Sequence, residues 1–268
     1  MEPVALSDYL NSENPWTERL IGGVAYSRTR DRAQVEQEYD RDKYGELRRF
    51  ELGSPEAYKR KEFELGGLRL DSTLCVSFGE SIFRTRLDEA RSILYGLVRS
   101  AVQRYAAPNV CELGCGYGFN LTYLPGRTLG GEFSKNAVEL GRSLGLDVHA
   151  FDYYDPASYG IIPHETTVVT VHSIEQIPDA AVIVENLAQH RSRIKAVVHL
   201  EPAYDPARTS LLGLLRNRYM ELNDYNRNLL DVLAGRDDVL ILELRRDVFG
   251  LNPLNSAHLV AWRFRDGS

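Results

Sequence analysis

The stretch Val110-Cys111-Glu112-Leu113-Gly114-Cys115-Gly116-Tyr117-Gly118 decides how this chain is read. A short apolar run ends in an acid, and three glycines follow on alternate positions. This is the pattern of a strand leaving a sheet through a tight turn into a helix. Without a Cβ, glycine adopts positive φ and lets a ligand approach the main chain. In open α/β sheets, ligands bind outside the carboxyl ends of the strands, which is where these glycines fall.

Working outward, the texture after Pro108 alternates between strand and helix, as in a parallel sheet covered on both faces. Seven strands are expected over residues 109–113, 128–132, 146–152, 166–172, 195–201, 239–244 and 258–264. Ser134 is placed to cap a helix that presents Ala137, Leu140, Gly141 and Leu144 on one face, and Gly145 stops it. Residues 245–257 hold Gly250 and Pro253 but no helical pattern, so the last two strands form an antiparallel pair. A long helical stretch is expected from Thr209 to Leu233.

Upstream, Leu87, Ala90, Ile93, Leu94, Leu97, Val98, Ala101, Val102 and Tyr105 recur at helical spacing and predict a helix over residues 86–105 that packs on the sheet. The first 85 residues are rich in charge and tyrosine. They show a polar helix from Asp31 to Tyr44 and a helix start at Ser54-Pro55-Glu56, closed by Gly66-Gly67. The division expected is an N-terminal helical lid or substrate-capping region over residues 1–85 and a cofactor-binding domain over residues 86–268.

Composition bounds the function. The chain has 268 residues, 43% hydrophobic and 26% charged, with a net charge of −6. That charge argues against a non-specific nucleic-acid binder, which needs a dense Lys/Arg surface. No apolar run approaches the roughly 20 residues of a transmembrane helix, and Met1-Glu2-Pro3-Val4 lacks the features of a signal peptide, so a cytoplasmic location is expected. Three cysteines, Cys75, Cys111 and Cys115, make no disulfide framework, and no partner pair stands at zinc-ligand spacing. No metal is expected.

The glycine pattern separates two cofactor classes. A dinucleotide fingerprint G-x-G-x-x-G would need glycine at 119, which is Phe119. Glu112 beside the turn would also repel a pyrophosphate, but not a zwitterionic or cationic ligand. The second strand ends at Glu132, whose carboxylate can accept from both hydroxyls of a ribose, and the third at Asp152, which can accept from an adenine amine. Three acids at successive strand ends suit a nucleoside without phosphates.

With these residues the chain resembles the class I S-adenosylmethionine-dependent methyltransferases, seven-stranded Rossmann-like enzymes whose first motif, an acid followed by G-x-G-x-G, is matched at Glu112 to Gly118. The resemblance covers about residues 86–268. It implies S-adenosyl-L-methionine as cofactor, with Glu112 at the turn and Gly114, Cys115, Gly116 and Tyr117 around the methionine portion. Glu132 would hold the ribose, and Asp152 with Phe151 or Tyr153 would frame the adenine, with Phe133 as a flat wall beside it. The segment His172-Ser173-Ile174-Glu175-Gln176-Ile177 is similar to the one after strand four in small-molecule members, which sets His172 near the sulfonium. There it is either a base or a hydrogen-bond donor to cofactor or backbone.

The expected activity is methyl transfer to a small hydroxylated molecule, oxygen first and nitrogen next. Methylation of a peptide side chain and a catalytically silent cofactor-binding module are the alternatives. Glu201 and Tyr204, after strand five, are candidate substrate contacts. Tyr225 and Asn226, in the polar cluster 223–228, are two more, and Asn252 to Asn255 is a weaker one. Glu201-Pro202-Ala203-Tyr204 lacks the second proline of the tetrad in adenine N-methyltransferases, so a base-methylating role is not expected. Tyr26, Tyr39, Tyr44, Phe78, Phe83, Arg84 and Arg86 are the N-terminal groups available to line a pocket or pack the lid.

Overall fold

The computed structural model describes residues 1–12, 14–21 and 29–265. Tyr26 lies outside the described residues. Ten strands occur among them: β1 (Glu2–Val4), β2 (Thr73–Phe78), β3 (Ser81–Arg86), β4 (Asn109–Leu113), β5 (Arg127–Glu132), β6 (Val148–Ala150), β7 (Thr166–Val171), β8 (Ile194–Pro202), β9 (Val239–Phe249) and β10 (Ala257–Phe264).

Strands β4 to β10 form one seven-stranded sheet in the order β6-β5-β4-β7-β8-β10-β9. Strands β6 through β8 are mutually parallel, and β10 runs antiparallel to both β8 and β9. The chain moves outward from β4 to β5 and β6, then returns to β7 on the other side of β4. The carboxyl ends of β4 and β7 therefore flank the crevice where such sheets bind ligands.

The sheet is covered on both faces, as its nearly continuous apolar strands require. On one face Val98, Ala101 and Val102 of the helix Leu87–Arg104 pack with Val110, Val169, Val198 and Leu259. On the other, Ile183, Val184 and Leu187 of the helix Ala181–Gln189 join Leu229 and Leu233 against Cys111, Val168, Val197 and Trp262. Each such side chain contributes roughly 1.5–3 kcal/mol by leaving water. One polar chain crosses this core. Trp262 Nε1 donates to His199 Nε2 at 2.9 Å, so the imidazole proton sits on Nδ1, 2.8 Å from Thr170 Oγ1. Burial holds His199 down to about 3, and the ring is neutral.

Four local expectations need correction. The glycine turn does not open an α-helix: Gly118 leads into a single 3₁₀ turn, Phe119–Thr122, and Gly126 returns the chain to β5. The space of a crossover helix is filled from the N-terminal side, where Tyr58 of the helix Pro55–Leu65 and Tyr44 and Leu47 pack on Tyr117 and Phe119. Second, the stretch 209–233 is two helices, Leu211–Leu222 and Leu229–Ala234. Asp224 takes a left-handed φ of 52°, and Asn226 Oδ1 accepts from the amides of Asn228 and Leu229, a turn that Asn and Asp favour. Third, β9 continues to Phe249 through Arg245-Arg246-Asp247, whose charged side chains hid a strand held by backbone pairing to β10. Fourth, the N-terminal region is not purely helical. A hairpin of β2 and β3 around Gly79-Glu80, with β1 at its edge, forms a three-stranded sheet. It joins β9 through the reciprocal pairing of Ser77 with Gly250.

The expected helix from Asp31 to Tyr44 begins as an α-helical turn, with Asp31 accepting from Gln34 N, and widens into a π-helical run over Glu36–Tyr44. Such widened turns occur often at functional sites. Ser54 and Ser134 cap their helices as expected.

Candidate active site

At the end of β4 the Glu112 carboxylate is buried. Asn120 Nδ2 donates to its Oε1 at 2.5 Å, while Oε2 has no hydrogen-bond partner among the described residues. Burial pushes this acid up to about 8; Asn120 and Lys59 pull it down, and Glu132 and Glu201 push it further up. The turn that follows needs its glycines. Gly114 and Gly116 have φ of 72° and 58°. A Cβ on Gly114 would collide with Ser173 Oγ, and one on Gly116 with the Tyr44 hydroxyl. The Glu132 carboxylate ties β5 to this turn, accepting from Gly116 N at 2.8 Å and from Ser134 N at 2.9 Å. Each of its oxygens keeps a second lone pair for a hydroxyl donor.

The N-terminal segments close over this edge. Asp40 Oδ1 accepts from Ser134 Oγ at 2.6 Å and Asn136 N at 2.9 Å, placing a carboxylate at the amino end of the helix Lys135–Ser143. Arg48 pairs with Glu139 on the same helix at 2.6 Å, and Arg32 pairs with Asp152. Within the cover, Lys43 and Lys59 each stand 2.8 Å from a Glu62 oxygen. Burial opposes the charge on Glu62, but the two ammonium groups outweigh it and hold the acid down to about 2.

At the end of β7, His172 adopts a left-handed φ of 50°, a conformation unusual outside glycine and found at functional sites. Its Nδ1 lies 3.4 Å from Glu175 Oε2. Glu175 also accepts from Gln176 Nε2 at 2.9 Å and Asn255 Nδ2 at 3.1 Å. Burial works against a charged imidazole, yet the Glu175 carboxylate, helped by Glu201, raises His172 above its ordinary value. Burial likewise opposes the charge on Glu175, and His172 and Asn255 more than compensate. Beneath this loop both Glu201 oxygens accept from Ser173 N at 2.9 Å, and burial together with Glu175 pushes Glu201 up to about 7.

These three regions enclose a cavity of about 410 Å³. Glu112, Gly114 to Tyr117, Asn120, Glu132 and Phe133 line it from the ends of β4 and β5; Tyr153 from the segment after β6; Val171 to Ser173, Gln176 and Ile177 from the end of β7 and the loop after it; Leu251, Asn252 and Asn255 from the β9–β10 loop. The N-terminal region contributes Val35, Tyr39, Lys43, Tyr44, Lys59, Glu62 and Phe63. Among the described residues, no helix is long and apolar enough to cross a membrane.

Of the residues singled out in the sequence, Glu112, Gly114, Cys115, Gly116, Tyr117, Glu132, Phe133, Tyr153 and His172 share this one space, as do Tyr39, Tyr44, Asn252 and Asn255. Tyr153 reaches it with its hydroxyl on Leu113 O and Ser173 Oγ. Asp152 and Phe151 do not line it; Asp152 meets Arg32 at the rim, and Phe151 packs on Tyr153 and Tyr159. The four substrate candidates also lie outside the lining. Glu201 holds the Ser173 backbone, Tyr204 reaches Glu221, Tyr225 lies under the Arg30 guanidinium, and Asn226 bonds the carbonyl of Ile177. Phe78 and Phe83 pack with each other, Phe78 also on Phe249, and Arg86 pairs with Asp88. Lys43, Lys59, Glu62 and Asn120 were missed. A Lys and Glu three apart on a polar helix carry the pattern of a solvated face, and nothing local marks them as a cavity wall.

No protein-family model matches the chain, and no curated protein matches its sequence. Solved structures do. The magnesium protoporphyrin IX methyltransferase of Synechocystis PCC 6803, crystallised with SAH, superposes with a TM-score of 0.51 at 11% identity, over 88% of this chain and all of the other (100%). This chain has the class I methyltransferase fold. Human N-acetylserotonin methyltransferase with SAM gives a TM-score of 0.48 at 15% identity, over 67% of this chain and 54% of the human one. The plantazolicin methyltransferase BpumL with SAH gives 0.44 at 13%, over 67% and 87%. As in other open α/β sheets, the crevice of this methyltransferase fold lies at the strand ends, where the cavity is found.

Proposed function

We propose that this chain is an S-adenosylmethionine-dependent methyltransferase acting on a small molecule, with oxygen the first acceptor and nitrogen the second. One observation carries the reading: a cavity at the β4 and β7 ends joins a side-chain-free turn, an unpartnered buried acid and a histidine paired to a carboxylate. The volume lies within the range of small-molecule sites. The unpartnered Glu112 oxygen suits the cofactor's ammonium, the Gly114–Gly116 backbone its methionine chain, and the spare lone pairs of Glu132 its ribose hydroxyls. When bound, the cofactor supplies an electrophilic methyl group on a sulfonium.

The rest is the protein's part. Positioning donor and acceptor in line accounts for most of the rate. The region 1–85 acts as lid: its tyrosines and the Lys43–Glu62–Lys59 cluster exclude water from one side of the site, which strengthens the polar contacts inside. His172 takes the hydroxyl proton while Glu175 stabilises the imidazolium that forms.

Isothermal titration with SAH, followed by detection of SAH formation across a panel of hydroxylated and amino acceptors, tests the proposal. Micromolar binding and turnover of at least one small acceptor are expected. Absence of binding by correctly folded protein overturns the cofactor assignment, and binding without any turnover leaves the silent module as the better reading.

A further inference from the structure

Behind the His172 side of the cavity, one carboxylate dictates the polarity of its neighbours. Glu175 is charged and accepts only, so each side chain touching it must turn a donor toward it. Gln176 does so with Nε2 and Asn255 with Nδ2. The orientation of both amides is thereby fixed, and each carbonyl oxygen is left over. Gln176 Oε1 and Asn255 Oδ1 are buried and have no hydrogen-bond partner among the described residues. Both residues line the cavity beside His172, and Gln176 is only 7% exposed. A buried carbonyl without a donor is costly, so such a pair marks a place where a ligand supplies a proton.

Resting on the methyltransferase reading, we propose that Gln176 and Asn255 form a specificity subsite that recognises a second hydroxyl on the acceptor, adjacent to the one being methylated. The substrate class is then a vicinal diol or catechol-type molecule. Its reacting hydroxyl faces His172, and its neighbour donates its single proton to one of the two amide oxygens. A methyl ether or hydrogen at the neighbouring position leaves both carbonyls unpaired. Discrimination against groups that fail to satisfy a buried polar site is strong.

The test compares matched acceptors, catechol with phenol and with 2-methoxyphenol, and an aliphatic 1,2-diol with its mono-alcohol, by kcat/KM for SAH formation. The wild-type enzyme is expected to prefer the paired donor at least tenfold. In Gln176→Leu, and independently in Asn255→Leu should the first fail to fold, that preference ratio is expected to fall at least tenfold toward unity. Equal kcat/KM for single and paired donors in the wild type, or a ratio unchanged in a folded variant, would overturn the proposal. So would the absence of turnover of every diol by protein that binds SAH. Protein that does not bind SAH at all fails the methyltransferase reading instead.

Discussion

The cavity wall at the ends of β4 and β5 is organised by main chain and two carboxylates, with Tyr117, Asn120 and Phe133 beside them, whereas the opposite wall, from the loops after β7 and β9, is organised by side chains that hold one another. On the first wall geometry comes from covalent rules. Positive φ at Gly114 and Gly116, and backbone amides aimed at Glu132, leave little freedom for substitution. On the second wall geometry comes from a network centred on Glu175, in which partners can be exchanged singly. Under the proposed function the first wall holds the cofactor and the second faces the acceptor.

Perturbing each wall separates them. The largest effect is expected from Gly114→Val, which adds a branched side chain at a φ of 72° where even a Cβ collides with Ser173. A stability loss of about 3–4 kcal/mol in urea denaturation, with SAH binding abolished, is expected from strain and overpacking combined. A variant of wild-type stability and affinity would show that this wall is as plastic as the other. Next, Glu132→Ala should weaken SAH by about 1–3 kcal/mol by titration calorimetry, because ribose hydroxyls and the Gly116 amide lose their acceptor. Unchanged affinity would remove Glu132 from the binding wall.

A smaller, differently shaped effect belongs to Glu175→Gln. His172 is raised by the Glu175 carboxylate, and a general base works in its deprotonated form, so activity rises with pH through the His172 pKa. Removing the anion lowers that pKa, so the ascending limb of the kcat/KM profile should move to lower pH while kcat falls about tenfold. A limb that stays in place or moves upward would separate His172 from the rate. The smallest effect is expected at the rim. Arg32→Ala breaks an ion pair with Asp152 in which Arg32 is largely exposed, and SAH affinity should change by about 0–1 kcal/mol.

What could be read from the residues follows the same division. The glycine turn, the seven strands, the antiparallel ending and the acids Glu112 and Glu132 were legible because alternate glycines and strand-end carboxylates are local patterns. Gln176 and Asn255 were not legible as a pair, since Asn255 joins them by bonding Glu175, 80 positions away in sequence. Tyr225 and Asn226 looked like ligand groups by composition, yet their polar atoms serve a turn and the carbonyl of Ile177. The hairpin of β2 and β3 did carry a signal, a two-residue Gly-Glu connection between runs of apolar and β-branched residues. The charge around it masked that signal.

The 3₁₀ turn at Phe119–Thr122, standing where a full crossover helix would ordinarily lie, ties assembly of the nucleoside cradle to events far away along the chain. Its outer surface is completed by Tyr44, Leu47 and Tyr58, so the cradle cannot reach native order until residues from the first quarter of the chain have docked. Contacts of such long sequence separation are entropically expensive and form late. A truncated polypeptide lacking that quarter would thus expose a half-built, aromatic-lined groove.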